Sequence, residues 1–184
     1  MVKTTVVRTP RMIQIFRLLI NLLLYWRDGA FVMSWGCITF ARDLHILYIT
    51  STMEQNEMMN GMPRSERAVM HKRNYNCCQA VLLAYAPELG LPEERLLAMG
   101  ACFGSGMGSM DETCGALCGA QMVQGLLKYD NCRMNPQASQ LRAEFEQRCG
   151  ATRCKDLKGV GTGQVLCSCE DCVRHAVEAL EEML

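Results

Sequence analysis

The stretch "DETCGALCGAQ", residues 111–121, determines most of what this chain can be. On a helix its two cysteines, Cys114 and Cys118, stand one turn apart on the same face. Gly115 and Gly119 run beside them, although a glycine inside a helix costs roughly 0.5–1 kcal/mol relative to alanine. Two glycines within one turn indicate that a second backbone, or a cofactor, must approach this helix closely.

The segments around this stretch predict an all-α fold, a compact array of about five helices from Met53 onwards. Five helices are predicted. The first covers residues 65–86, the second is "PEERLLAM" from Pro92, and the fourth is "PQASQLRAEFEQRC". The third begins at a capping box of Ser109 and Glu112 and runs to about Tyr129, and the fifth begins at a capping box of Ser168 and Asp171 and runs to Leu184. The glycine-rich "FGSGMGSM" is expected to be a loop, and "TRCKDLKG" one short turn or helix. No convincing alternating strand follows Met53.

The first 52 residues differ in composition from the rest of the chain. They contain both tryptophans, one cysteine, and six Lys or Arg against two Asp. The apolar run Leu18–Trp26 is well short of the ~20 residues that a membrane span needs, and no signal cleavage site follows it. We therefore expect residues 1–52 to be an extension outside the fold, produced by a misassigned start. The working protein would be a single domain over residues 53–184, beginning at Met53, Met58 or Met59.

Cysteine is the exceptional component of the composition. The chain contains 12 cysteines, of which 11 lie between Cys77 and Cys172. Without a cleavable signal we expect a cytoplasmic location, where disulfide frameworks are rare. Thiols kept reduced serve instead as metal or cluster ligands, or as redox groups. The density of cysteines therefore predicts thiol or metal chemistry.

Five motifs carry a resemblance to a known family: "NYNCCQAVL", "GSGMG", "CGALCG", "CKDLKG" and "CEDCVRHAVEALEEML". In order and spacing they resemble the C_GCAxxG_C_C family of redox-active proteins, over about residues 65–184. The resemblance implies that the four family cysteines are Cys77, Cys114, Cys154 and Cys169, with Cys172 as the rival to Cys169. Gly115, Ala116 and Gly119 complete the CGAxxG motif. A related domain occurs in split-Soret cytochromes, which carry both haem and an iron–sulfur cluster.

Our first hypothesis is that the four family cysteines converge and bind an iron–sulfur cluster for electron transfer, with Gly115 and Gly119 beside the cofactor. A metal-free thiol–disulfide oxidoreductase using the same thiols is the alternative. The compact "CSCEDC", with Cys167, Cys169 and Cys172, leaves a zinc site open. A structural helical module with inert buried cysteines is the simplest reading. The redox partner and enzymatic status stay open, and the helices leave room for a homodimer.

Several functions are disfavoured by the sequence. Covalent haem is excluded, because Val173 follows "CEDC" where a C-x-x-C-H motif requires histidine. The net charge of zero gives no reason to expect a nucleic-acid partner. His71 and His175 are the histidines after residue 52, so histidine-based catalysis is poorly supported. The cysteines expected to fill core or surface positions without chemistry are Cys78, Cys102, Cys132 and Cys149.

Overall fold

The computed structural model describes residues 61–184, together with two short strands, β1 (Trp26–Arg27) and β2 (Ala30–Phe31), which pair antiparallel. The chain divides into two compact units, residues 1–60 and 61–184. The predicted extension, residues 1–52, falls almost wholly outside the described residues. Its exclusion from the fold therefore stays a prediction.

Residues 61–184 form eight helices, and the all-α prediction is confirmed with more helices than expected. They are α1 (Arg64–Lys72), α2 (Cys77–Ala84), α3 (Ala86–Leu89), α4 (Glu93–Gly100), α5 (Gly115–Lys128), α6 (Asn135–Cys149), α7 (Cys154–Leu157) and α8 (Cys169–Glu181). Among the described residues no helix is both long and apolar enough to cross a membrane.

The segment predicted as one helix over residues 65–86 is three helices. Asn76 interrupts it by forming a capping box with Gln79, in which its side chain accepts the Gln79 N–H at 3.0 Å and its own N–H donates to the Gln79 side chain at 3.2 Å. Its amide also donates to the carbonyl of Gly100 at 2.9 Å, which fastens the start of α2 to the end of α4. Asn76 therefore caps a new helix, α2, which begins at Cys77.

The start predicted for α5 at Ser109 is wrong. The Ser109 hydroxyl accepts the N–H of Asp111 at 3.2 Å within a turn, and the helix begins only at Gly115. Competing backbone bonds, described below, hold the residues just before α5 out of the helix, and Thr113 forms an isolated antiparallel bridge with Arg153. The second predicted cap is confirmed, because the Ser168 side chain accepts the N–H of Asp171 at 3.0 Å at the start of α8.

Helix α2 lies at the centre of this unit, and every residue in it except Gln79 is buried. It packs against α1, α4, α5 and α8. At Gly119 an added Cβ would lie 2.8 Å from the carbonyl oxygen of Cys78, and at Gly115 it would overlap the carbonyl oxygen of Phe103. Gly119 therefore allows the backbone of α2 to approach α5 closely, and Gly115 does the same for the loop that precedes α5.

Replacing Gly119 by alanine should lower the free energy of unfolding by about 1–3 kcal/mol, because the new methyl group would press on the α2 backbone. Gly125→Ala is the matched control on the same helix, since nothing lies within 4 Å of a Cβ there. That control should raise stability by about 0.5–1 kcal/mol through helix propensity. Urea unfolding followed by circular dichroism measures both values, and equal effects of the two substitutions would contradict the packing described.

Candidate functional site

The four cysteines implied by the family resemblance each lie at the N-terminal end of a helix. Cys77, Cys154 and Cys169 are the first residues of α2, α7 and α8, and Cys114 is the N-cap residue of α5. Backbone N–H groups at these ends have no partner within the helix, and the helix dipole there favours negative charge. All four positions are therefore suited to a thiolate or to a negatively charged cofactor.

Two of these helix ends are joined by backbone pairing. The N–H of Cys114 donates to the carbonyl of Thr152 at 2.8 Å, and the N–H of Cys154 donates to the carbonyl of Glu112 at 3.0 Å. The glycine-rich loop lies against the same place, since a Cβ on Gly106 would be 2.7 Å from the Cβ of Cys154. The pairing brings Cys114 and Cys154 side by side, and it explains why α5 starts later than predicted.

An ion-paired carboxylate reinforces this pairing from outside. Asp111 accepts from the ammonium group of Lys155 at 2.6 Å and lies 3.5 Å from the guanidinium group of Arg153. The Lys155 hydrogen bond lowers the pKa of the Asp111 carboxyl group. Because the pair is exposed, it adds little to stability. Asp111 therefore connects the loop to α7 and takes no part in capping α5.

Cys77 and Cys169 interact directly through their sulfur atoms. The hydrogen bond from the Cys77 thiol lowers the pKa of Cys169 to about 5, against the effect of burial, and the ammonium group of Lys158 lowers it further. The same bond, with burial, raises the pKa of Cys77 well above its ordinary value. In the metal-free protein at neutral pH, Cys169 is therefore a thiolate and Cys77 a thiol that donates to it.

Cys114 interacts in the same way with Cys172. Their hydrogen bond and burial raise the pKa of Cys114, although the backbone N–H groups of Ala116 and Leu117 act in the opposite direction. The bond to Cys114 lowers the pKa of Cys172, but a hydrogen bond with Cys149 and burial outweigh it and raise that pKa overall. Both candidates for the fourth family cysteine thus contact another predicted site cysteine: Cys169 contacts Cys77, and Cys172 contacts Cys114.

A half-buried cation, Lys158, lies beside these thiols. Its ammonium group donates to the carbonyl of Cys167 at 2.9 Å and lies 3.8 Å from the sulfur of Cys172. Burial would lower the pKa of Lys158, but the negative charges of Cys172 and Cys169 raise it overall. Sequence reasoning missed this lysine, although it follows Cys154 by four residues and so lies one turn further along the same segment.

Three further thiols form the tightest group. Cys149, Cys167 and Cys172 are all buried, and their sulfur atoms lie within 4.8 Å of one another. Sequence reasoning gave Cys149 no role and grouped Cys167 with Cys169 and Cys172, so this set differs from the predicted zinc motif in one member. No local spacing reveals it, because Cys149 ends α6 while its partners belong to the start of α8.

Cys78, Cys102 and Cys132 lie in core or surface positions, as expected, and Cys118, for which no such expectation was made, is also buried. Cys102 and Cys132 are exposed. Cys78 and Cys118 are buried between α2 and α5, where burial raises their pKa values to about 12 and about 11. The glycines of the CGAxxG motif have the packing role described above, and their contact with a cofactor stays a prediction.

The model of one protein family matches residues 75–183, and its description is "Putative redox-active protein (C_GCAxxG_C_C)". The chain belongs to this C_GCAxxG_C_C family, which confirms the resemblance drawn from its motifs. No curated protein and no solved structure matches the chain. The site described here is thus a cysteine-rich, buried centre in a member of a redox-active family.

The alkylation rate of Cys169 in reduced, metal-free protein should rise as the pH passes about 5 and stay level above it, because only the thiolate reacts. The half-maximal rate of an ordinary cysteine would fall near its reference pKa of 9.0. Cys77→Ala and Lys158→Met should each move the midpoint upward by removing a group that favours the thiolate. Iodoacetamide labelling with peptide mass spectrometry measures the rate, and a midpoint near 9 in the unaltered protein would contradict the assignment.

Proposed function

We propose that this protein transfers electrons through an iron–sulfur cluster held by Cys77, Cys114, Cys154 and Cys169. The observation that carries the proposal is the placement of these four cysteines at the N-terminal ends of four helices. The half-buried ammonium group of Lys158 interacts with three of them, Cys114, Cys154 and Cys169. Four thiolates are the usual ligand set of both common cluster types. The proposal includes a cytoplasmic location and a redox partner that is still to be identified.

The mutual effects of the thiols support convergence on one site. The charges of Cys169 and Cys114 both raise the pKa of Cys77. The pKa of Cys154 is raised first by burial and then by the charges of the same two cysteines, with Lys158 acting against them. The cysteines that affect one another's pKa therefore belong to different helices. This is the arrangement that a ligand set from four separate segments requires.

The spacing of the sulfurs suits a cluster better than a single ion. Tetrahedral thiolate ligands at about 2.3 Å from one metal ion lie roughly 3.8 Å from one another. Within residues 61–184 no three of the four proposed ligands approach one another within 4.8 Å, whereas Cys149, Cys167 and Cys172 do. The four proposed ligands are therefore not gathered around one point as that group is, which favours a larger centre than a single ion.

The electrostatics of the site also favour a negatively charged group. The N-terminal ends of α2, α5 and α8, each eight or more residues long, face it with their positive dipole ends. When bound, the cluster would supply one-electron exchange, with a potential that depends on charge, hydrogen bonds and burial. The Lys158 ammonium group favours the more negative, reduced state. Burial of Cys77, Cys114 and Cys154 keeps water from their sulfur atoms.

Cys114→Ser should remove the visible absorption of the anaerobically isolated protein, together with its iron and sulfide. The residue supplies one of the four ligands and lies within the site. Cys118→Ala is the matched control, because Cys118 is buried one turn along the same helix and has no place in the proposed ligand set. A Cys114→Ser protein with full colour would rule out this ligand set, provided that the control retains its colour too.

The hydrogen-bonded pair of Cys77 and Cys169 favours a second candidate, a metal-free thiol–disulfide exchange protein. The Cys169 thiolate would attack a substrate disulfide, form a mixed disulfide and release one substrate thiolate. Cys77 would then lose its proton and attack the Cys169 sulfur, which releases the second substrate thiolate and closes a Cys77–Cys169 disulfide. A colourless protein that loses two free thiols when it reduces a disulfide would support this candidate.

A further inference from the structure

We propose that Cys149, Cys167 and Cys172 form a separate metal site that binds one thiophilic divalent cation of the zinc type. The three side chains are buried and their sulfur atoms lie within 4.8 Å of one another. None of them belongs to the ligand set proposed for the cluster. The site is therefore an addition to the proposed function, and each can exist without the other.

The distances fit a single ion. Zinc binds thiolates at about 2.3 Å in tetrahedral geometry, which places pairs of sulfurs roughly 3.8 Å apart. Sulfurs already within 4.8 Å reach that spacing by shifts of about an ångström or less, which side-chain rotation supplies. Three protein ligands leave a fourth coordination position for a water molecule or a small outside ligand.

The backbone holds the three ligands from different directions. Cys149 is the last residue of α6, which Gly150 ends in a left-handed conformation at φ 86°. The N–H of Cys167 donates to the carbonyl of Leu157 at 3.2 Å, which ties the segment before α8 to the end of α7. Cys172 lies in the first turn of α8. Two of the ligands thus lie on helices, and the third lies in a segment that a backbone hydrogen bond holds against the end of α7.

The charge of the three-cysteine site gives a second argument, which does not depend on the distances between its sulfur atoms. Three thiolates and a divalent ion carry a net charge of −1, and a buried charge needs a partner. Lys158 provides it, because its ammonium group lies 3.8 Å from the Cys172 sulfur and 2.9 Å from the Cys167 carbonyl oxygen. Within residues 61–184 this lysine has no carboxylate among its hydrogen-bond partners. The half-buried ammonium group of Lys158, which also interacts with Cys169, is therefore placed to balance the net charge of the metal site.

The second site also gives different roles to Cys169 and Cys172, the two candidates for the fourth family cysteine. Cys169 contacts Cys77 and serves the proposed cluster, whereas Cys172 joins the tight group with Cys149 and Cys167. Only the role of Cys169 as a cluster ligand rests on the proposed function. The sulfur group itself stands on its own geometry.

The test is a titration of the reduced, metal-free full chain with Co²⁺, which reports thiolate ligation through sulfur-to-cobalt charge-transfer absorption. In the Cys77→Ala/Cys154→Ala variant, which lacks two proposed cluster ligands, we expect one equivalent of Co²⁺ with this absorption, displaced by Zn²⁺. Adding Cys149→Ala and Cys167→Ala to that variant should abolish this absorption. The Cys149→Ala/Cys167→Ala variant, isolated without metal removal, should still contain iron and sulfide. Cys102→Ala/Cys132→Ala is the matched control, since both residues are exposed.

Two results would overturn the second site. One is the absence of thiolate-to-cobalt absorption in the Cys77→Ala/Cys154→Ala variant. The other is full retention of that absorption when Cys149→Ala and Cys167→Ala are added to the same variant and the protein still folds. A melting temperature that Zn²⁺ raises in the former variant supports the site even if the latter fails to fold. Failure of the cluster proposal is distinct, because the unaltered chain would then contain no iron or sulfide yet still show the cobalt band.

Discussion

The close approach of α2 to α5 is the constraint on which the site depends. It is permitted by Gly119, where any side chain would meet the carbonyl oxygen of Cys78. Because Cys77 starts α2 and Cys114 caps α5, the distance between these helices fixes the distance between two of the four thiols. Gly115 and Gly119, which the sequence suggested could lie beside a cofactor, thus first of all make room for a neighbouring backbone.

The electrostatics of the metal-free site explain how it is prepared for a ligand. Hydrogen bonds between thiols and burial raise the pKa values of Cys77 and Cys114, so both carry protons when no metal is bound. Cys169 is already a thiolate, with Lys158 as a counter-charge. Metal binding to such a site releases the remaining protons, and its affinity should therefore rise with pH.

Much of this arrangement could be predicted from the sequence, and the rest could not for identifiable reasons. The all-α fold and the cap at Ser168 follow from local spacing alone. The start of α5 was predicted too early, because the Ser-x-x-Glu signature cannot reveal that Cys114 pairs with Thr152 through the backbone. Cys149 and Lys158 depend on contacts between segments distant in sequence, which no local pattern encodes. The break at Asn76, by contrast, was visible as an Asn-x-x-Gln capping box.

The most direct test of the central claim is a Mössbauer spectrum of the full chain, isolated without oxygen from cells grown on enriched iron. We predict the signature of tetrahedral iron in an all-sulfur environment, with iron and sulfide present in equal amounts. Conversion on reduction to a spectrum of lower average oxidation state would show that the centre accepts an electron. A chain that contains neither iron nor sulfide, even after anaerobic reconstitution, would contradict the account and leave the thiols themselves as the redox groups.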